Sequence, residues 1–191
     1  GLALCALGDL LLIGDRTFDA GLIAFLLDHV LYICSFRAAL PMGDWSTVVL
    51  APLGILGLAV GWWLWPHLGK RRPSVLAYII VITAMVALSV GAGAAGGPGR
   101  PWLIPLAATA FWLSDVSVAR NRFVAPGLVN RVWGLPLYYG AQLLFATYHM
   151  ESQNPWRLVL LMVFSLTVVV IGYTLISHAF DRFLFPELGF V

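Results

Sequence analysis

Long apolar runs separated by short polar turns constrain this chain more than any other feature of its sequence. A helix that crosses the hydrocarbon core of a bilayer needs about 20 mostly apolar residues. Seven segments reach or approach that length: residues 1–13 (short), 18–40, 45–65, 74–95, 102–119, 132–150 and 156–180. Glycine, proline and charged residues, which are typical of turns, stand between them. We therefore predict an all-α fold, a polytopic transmembrane helical bundle of about seven helices.

The composition supports a membrane protein and excludes several other classes. Hydrophobic residues make up 61% of the chain and charged residues only 10%, whereas a soluble domain carries about 25% charged residues. The mean hydropathy of +0.91 leaves too few polar residues to cover a soluble surface. The net charge of +2, with no long basic run, gives no reason to expect nucleic-acid binding. Cys5 and Cys34 lie in apolar segments, where we expect free thiols.

The segments divide the chain into two parts. We expect residues 1–150 to form one transmembrane bundle, and residues 151–191 to add a C-terminal transmembrane helix and a short tail. The sequence begins inside an apolar run, without the charged region and cleavage site of a signal peptide. We therefore expect the natural chain to start further upstream.

The basic residues predict an orientation, because loops on the cytoplasmic side carry an excess of lysine and arginine. One side of the predicted topology carries eight basic residues: Arg16, Lys70, Arg71, Arg72, Arg120, Arg122, Arg131 and Arg182. The other side carries Arg37, Arg100 and Arg157. The first group is expected to face the cytoplasm. Ten arginines against one lysine favour a GC-rich genome, and we predict an integral, multi-pass protein of a bacterial inner membrane.

Several polar side chains lie inside the apolar segments, where an ionisable group is costly and marks a candidate functional site. They are Asp9, Asp28, His29, Ser114, Asp115, Tyr138 and Gln142. His149, His178 and Asp181 lie near segment ends, where an interfacial position explains them. Asp9 and Asp115 each precede a polar loop by about one turn, so helix capping or snorkelling remains an alternative for both.

Helical periodicity groups these polar residues on a few faces. One face of segment 18–40 carries Phe18, Gly21, Phe25, His29, Tyr32 and Phe36, with Asp28 beside it. Two further faces carry Phe111, Ser114, Asp115 and Val118, and Tyr138, Ala141, Gln142 and Phe145. Such stripes often serve packing alone, but three helices that each present polar groups to an apolar interior predict a buried site.

These residues carry a resemblance to a known family. Four groups of residues follow one another along the chain. They are Gly8-Asp9 with Leu12, the spacing from Phe18 to Phe36, Phe111 and Ser114-Asp115 with Ala119 and Phe123, and Tyr138 with Gln142. Together they resemble the motifs of the lysoplasmalogenase family, the YhhN-like polytopic membrane hydrolases, over residues 1–145. That family usually has additional helices before its Gly-Asp helix, which this sequence lacks. It usually ends near its Tyr–Gln helix, whereas this sequence continues into segment 156–180.

The resemblance implies an ether hydrolase that cleaves the vinyl-ether bond of lysoplasmalogens to a fatty aldehyde and a glycerophospho-alcohol. It implies that Asp9 and Asp115 are the catalytic pair. Hydrolysis of a vinyl ether needs one carboxylic acid to protonate the alkene and one carboxylate to stabilise positive charge or activate water. Asp28, His29, Tyr32, Ser114, Tyr138 and Gln142 are candidates to bind substrate or orient the pair, with interhelical hydrogen bonding as the alternative. Asp28-His29 is too sparse for zinc, and we expect no metal and no cofactor.

The expected partners are a lyso-ether phospholipid and the lipid bilayer. The headgroup is expected near Arg120 and Arg122, whose alternative role is to set the topology. Two other functions remain open. Intramembrane carboxylates and histidines also occur in proton-coupled transporters. Alternatively, the chain is a structural subunit of a larger complex with membrane-protein partners, with the family fold but no turnover.

Overall fold

The computed structural model describes residues 2–12, 14, 16–39, 46–96 and 100–151, which are mostly helical and contain no strand. The elements are α1 (Leu2–Leu12), α2 (Phe18–Ala39), α3 (Ser46–Leu64), α4 (Arg72–Ala94), α5 (Leu103–Ala119) and α6 (Leu128–Glu151). The all-α prediction is confirmed. The count of seven is not, since the described part of the chain contains six α-helices and segment 156–180 lies outside it.

Three helical stretches are long and apolar enough to cross a membrane: Phe18–Arg37, Val48–His67 and Gly69–Ala94. Helix α1 is apolar but shorter. Large apolar side chains on these helices are exposed, among them Ile55, Leu58 and Trp62 of α3. In water so many exposed apolar side chains would be unfavourable, whereas in a bilayer they contact lipid. The fold is that of a membrane protein.

Helix α4 lies at the centre of the described bundle, in contact with α2, α3 and α5. Helix α1 packs on α2, and the most extensive pairing joins α5 to α6. Small residues permit that close approach. A methyl group added at Gly134 of α6 would lie 2.7 Å from the Cβ of Ser117 on α5. Interfaces of this kind are common between membrane helices, which associate through close packing and interhelical hydrogen bonds.

The connections at one end of the bundle are compact. Two 3₁₀ turns, Trp65–His67 and Gly69–Arg71, join α3 to α4, and a π-helical turn, Arg120–Val124, extends α5. The guanidinium groups of Arg71 and Arg122 both lie over the Phe18 ring, at 5.6 and 4.4 Å from its centroid. The basic loops around residues 70 and 122 therefore lie at the same end of the bundle, as the charge pattern predicts.

Candidate active site

Asp115 of α5 is the centre of a polar contact among three helices. The hydroxyl of Tyr78, on α4, donates a hydrogen bond of 2.5 Å to Asp115 Oδ2. The Nε2 atom of His29, on α2, lies 3.7 Å from the same oxygen. The Asp115 side chain is 17% exposed, whereas His29 is fully buried. Because only one of its oxygens receives the tyrosine hydroxyl, the carboxyl group retains capacity to exchange a proton with a ligand.

His29 is held so that one ring nitrogen faces Asp115. Its Nδ1 is hydrogen-bonded to the carbonyl oxygen of Phe25, one turn earlier in α2. A carbonyl oxygen only accepts, so Nδ1 carries a proton, and Nε2 of the neutral ring is an acceptor. The separation of 3.7 Å from Asp115 is too long for a hydrogen bond. Edge-to-face contacts with Tyr78 and Phe111, at ring-centroid distances of 5.3 and 4.9 Å, fix the ring.

Asp9 of α1 forms a second carboxyl–phenol pair. The Tyr138 hydroxyl, on α6, donates a hydrogen bond of 2.8 Å to Asp9 Oδ2. The preceding residue, Gly8, lies against the ring of Phe25, and a Cβ at this position would be 2.7 Å from two ring carbons. The glycine therefore lets α1 approach α2 closely, which explains in steric terms why glycine precedes this aspartate.

Asp28 is the third buried carboxyl group. The Cys5 thiol, one turn before Asp9 on α1, donates a hydrogen bond of 2.9 Å to Asp28 Oδ2. Cys5 is a free cysteine, as expected, and its thiol acts as a hydrogen-bond donor and not only as a small apolar group. The buried Gln142 amide lies beside the Cys5 thiol and the Tyr138 hydroxyl, and forms no hydrogen bond of good geometry within the described residues.

The three carboxyl groups belong to one cluster. Asp9 and Asp28 are both near enough to interact electrostatically with Asp115. Between the two carboxyl–phenol pairs lies the fully buried ring of Phe111, which makes edge-to-face contacts with His29 at 4.9 Å and Tyr138 at 5.4 Å. The cluster is thus a set of acidic groups, each with a nearby hydroxyl or thiol donor, in a largely apolar interior. Such an arrangement can hold and transfer protons.

A cavity of about 60 Å³ adjoins Asp115. One water needs roughly 10–15 Å³ by this kind of measure, so the cavity has room for a few waters or part of an alkyl chain. Its polar wall includes Asp115 and Tyr78, and the rest is apolar and aromatic, contributed by Phe18, Leu22, Phe25, Val60, Leu64, Val75, Ile82, Trp112, Phe123 and neighbouring aliphatic residues. Asp115 lines this cavity and Asp9 does not, so only one aspartate of the predicted pair is in direct contact with the cavity.

For two of the candidates from the sequence, the described residues show contacts other than a hydrogen bond to an aspartate. Tyr32 stacks on Phe145, with ring centroids 4.4 Å apart, and no hydrogen bond in the described part of the chain joins it to an aspartate. The Ser114 hydroxyl donates to the carbonyl oxygen of Phe111 within α5. Asp28, His29, Tyr138 and Gln142 lie in or beside the carboxyl cluster, and Tyr32 is near enough to interact electrostatically with Asp28.

Two polar partners were missed from the sequence. Tyr78 is the single tyrosine of a strongly apolar helix, and this was the sequence signal from which its role could have been predicted. Cys5 precedes Asp9 by four residues, which places both on the same face of α1. Among the described residues no group of three or more metal-ligating side chains could hold an ion.

A buried acidic cluster in a bundle of apolar helices defines a class of membrane protein with an intramembrane polar site. Residues 1–149 match the YhhN family, and the chain belongs to that family. Lysoplasmalogenase TMEM86B from Sus scrofa is 32% identical over 157 residues, covering 81% of this chain and 63% of the relative. The Homo sapiens protein of that name is 30% identical over 152 residues, covering 78% and 62%.

A relative with a different name matches a shorter stretch. A probable inorganic carbon transporter subunit, DabB1 of Halothiobacillus neapolitanus, is 38% identical over 95 residues, which is 47% of this chain and 17% of that protein. The chain therefore spans less than two thirds of the length of each of these relatives. No solved structure matches the chain significantly.

Proposed function

We propose that this protein is a membrane-embedded hydrolase that cleaves the vinyl-ether bond of lysoplasmalogens. The observation that carries the proposal is Asp115, whose carboxyl group lies with the Tyr78 hydroxyl in the wall of an otherwise apolar cavity. An apolar cavity suits a single-chain lipid, and a carboxyl group at its wall suits proton transfer to the alkene. Family membership and the lysoplasmalogenase names of relatives support the same reaction.

In the proposed reaction a carboxylic acid protonates the alkene carbon next to the alkyl chain and leaves an oxocarbenium ion. Water attacks the other former alkene carbon and loses a proton, and the resulting hemiacetal collapses to an aldehyde and a glycerol hydroxyl. The reaction consumes one water and restores the acid. Asp115 and Asp9 are assigned to these proton transfers, with Tyr78 and Tyr138 as hydrogen-bond donors that orient them.

The direct test is to incubate the purified protein in detergent micelles with a lysoplasmalogen and measure free aldehyde. Release of aldehyde and glycerophospho-alcohol in equal amounts is expected. A saturated 1-O-alkyl lysophospholipid is the control and should be unchanged, because it has no alkene to protonate. Absence of aldehyde from a folded, lipid-binding protein would contradict the proposal.

The two tyrosines give a sharper prediction. We expect Tyr78→Phe and Tyr138→Phe each to lower the rate of aldehyde release by about tenfold, because each removes a hydrogen bond to a charged or acidic group worth roughly 1.5–3 kcal/mol. Tyr148→Phe on α6 is the matched control and should retain the parent rate. Equal rates for all three variants would show that the phenol–carboxyl pairs do not contribute to turnover.

The proposed orientation places the loops around Lys70 and Arg131 in the cytoplasm of a bacterial cell. In a Cys34→Ser background, Lys70→Cys and Arg131→Cys should react with a membrane-impermeant maleimide only in inside-out vesicles. Arg100→Cys, predicted on the other side, should react only in right-side-out vesicles. If Lys70→Cys and Arg131→Cys reacted from opposite sides, the predicted number of spans would be wrong.

A second candidate function is a subunit of a larger membrane complex. The observation that favours it is the 95-residue similarity to a protein named as a transporter subunit. If the protein is such a subunit, we expect it to co-purify with other membrane proteins at fixed stoichiometry and to release no aldehyde. A proton-coupled transporter would instead show pH-dependent uptake into vesicles without consuming lipid.

A further inference from the structure

We propose that Trp65, Lys70 and Arg72 form a binding site for the phosphate group of an anionic phospholipid of the bilayer, at the connection between α3 and α4. This lipid belongs to the surrounding membrane and is not the substrate, so the inference goes beyond the proposed function. None of the three residues lines the cavity beside Asp115.

The connection between α3 and α4 lies at the depth of the lipid headgroups. It joins the stretches Val48–His67 and Gly69–Ala94, each of which is long and apolar enough to cross a bilayer. Where one span ends and the next begins, the chain reaches the membrane surface, and tryptophan, lysine and arginine are typical of this depth. The phosphates of anionic lipids give the membrane surface a negative potential, which attracts basic side chains.

The connection is anchored by a buried leucine. Leu68 packs in an apolar cluster with Leu64, at the end of α3, and Val75, in the first turns of α4. Gly69 has a φ of 52°, a conformation that glycine adopts without steric cost. The basic side chains that follow are therefore presented from a backbone that is already held in place, which reduces the entropy lost when they bind a ligand.

Arg72 is positioned by an aromatic ring and not by an acid. Its Cζ atom lies 4.6 Å from the centroid of the Trp65 ring, within the range of a cation–π interaction. In the part of the chain that the structure describes, the Arg72 Nε atom is buried without a hydrogen-bond partner. The first turn of α4, where Arg72 lies, contains no acidic residue. The hydrogen-bond donors of this guanidinium are therefore available to a ligand.

Lys70 adds a second positive charge, and its side chain is exposed. Among the described residues, neither Lys70 nor Arg72 forms an ion pair with a carboxylate. Asp19, in the first turn of α2, instead accepts two hydrogen bonds from Arg71, and neither of these residues is part of the site. A guanidinium binds two phosphate oxygens in a two-pronged geometry, and an ammonium attracts the same group as a point charge.

The exposed tryptophans favour a lipid over a free anion. Trp62 and Trp65 are 83% and 44% exposed, and both lie near the end of the stretch Val48–His67. An indole ring at this depth can contact the glycerol unit and the upper acyl chain, while its N–H group can donate to a lipid oxygen. Inorganic phosphate would gain none of these contacts. A zwitterionic headgroup would bring an ammonium group against two positive charges, so an anionic lipid fits better.

The test measures lipid binding to the purified protein. Native mass spectrometry in an uncharged detergent counts bound lipids and gives the affinity for the first of them. Dioleoyl phosphatidylglycerol is titrated as the anionic lipid, and dioleoyl phosphatidylcholine as the zwitterionic one. Dioleoylglycerol has the same chains but no phosphate and controls for contacts of the chains alone. Inorganic phosphate is added as a competitor to separate recognition of a lipid from recognition of a free anion.

We expect the parent protein to bind phosphatidylglycerol more tightly than either other lipid. Arg72→Gln should weaken phosphatidylglycerol binding by about tenfold, because it removes charge-assisted hydrogen bonds, and should leave dioleoylglycerol binding unchanged. Lys70→Gln should weaken it by about fivefold through loss of one charge at the membrane surface. Arg72→Lys keeps the charge without the two-pronged geometry and should lie between the parent and Arg72→Gln.

Arg131→Gln is the matched control, because it removes an exposed arginine of α6 that is predicted on the same side of the membrane. It should leave phosphatidylglycerol binding unchanged. Equal weakening by Arg72→Gln and Arg131→Gln would show that the preference comes from diffuse surface charge, and would overturn the proposal. Equal affinity of the parent for the three lipids, or displacement of phosphatidylglycerol by inorganic phosphate at similar concentration, would also overturn it. None of these measurements involves turnover, so their outcome is independent of the proposed function.

Discussion

We expect Asp115→Asn to lower the rate of aldehyde release from a lysoplasmalogen by at least about 100-fold. General acid or base catalysis by a positioned side chain contributes roughly 10²- to 10⁴-fold, and an amide can neither supply nor accept that proton. Asp9→Asn is expected to have an effect of the same order, because the proposed reaction needs both carboxyl groups. The initial rate of aldehyde release at saturating substrate measures both effects.

The asparagine variants need a control for folding and for binding, since they alter a buried hydrogen-bond network. The Tyr78 hydroxyl can still donate to the amide oxygen at position 115, so thermal unfolding should change little. Affinity for the saturated ether analogue should stay within a few-fold of the parent. If either variant kept its turnover within a few-fold of the parent rate, that aspartate would not be a catalytic acid or base.

The second large effect concerns stability. We expect Gly134→Ala to lower the free energy of unfolding by about 1–3 kcal/mol, because an added Cβ would lie 1.8 Å from the Ser117 Oγ and 2.7 Å from its Cβ. Rotation of the serine hydroxyl cannot relieve the second contact, so α5 and α6 must separate. Thermal or denaturant unfolding in detergent, followed by loss of helical circular dichroism, measures the change.

Two variants make this prediction specific. Gly140→Ala lies on the same helix, where an added Cβ meets no atom within 4 Å, and it should be neutral or slightly stabilising because alanine favours helix over glycine. Ser117→Gly combined with Gly134→Ala moves the small residue to the other helix and should recover part of the lost stability. Equal destabilisation by Gly134→Ala and Gly140→Ala would show that helix packing at Ser117 is not the cause.

The helices were predictable from the sequence because apolar length and turn residues are local signals. Segment 18–40 became Phe18–Ala39, and segment 102–119 became Leu103–Ala119. The largest difference is in α6, which begins at Leu128 rather than at residue 132. Asn130 and Arg131 resemble loop residues in the sequence. The Asn130 side chain finds its partners in the preceding turn, so the polar residue is satisfied inside the helix.

The site was predictable only in part. Periodicity identified the buried faces that carry His29 and Gln142, because a face depends on spacing within one helix. The pairs Asp9–Tyr138 and Asp115–Tyr78 join residues 129 and 37 positions apart, and no local pattern encodes such partners. Cys5 was predicted only to be a free thiol, because its hydrogen bond depends on an acceptor, Asp28, that lies on the neighbouring helix.

The position of α3 affects how a lipid in the bilayer could reach the cavity. Val60 and Leu64 of α3 line the cavity, yet this helix packs mainly on α4 and exposes most of its surface. Displacing α3 outward would widen the cavity while the hydrogen bonds of the three aspartates, which come from the other helices, stayed intact. The cohesion of the surrounding acyl chains would then oppose the displacement of α3. A fluid, loosely ordered bilayer would therefore ease the entry of a lipid into the cavity, and a sterol-rich or gel-phase bilayer would slow it.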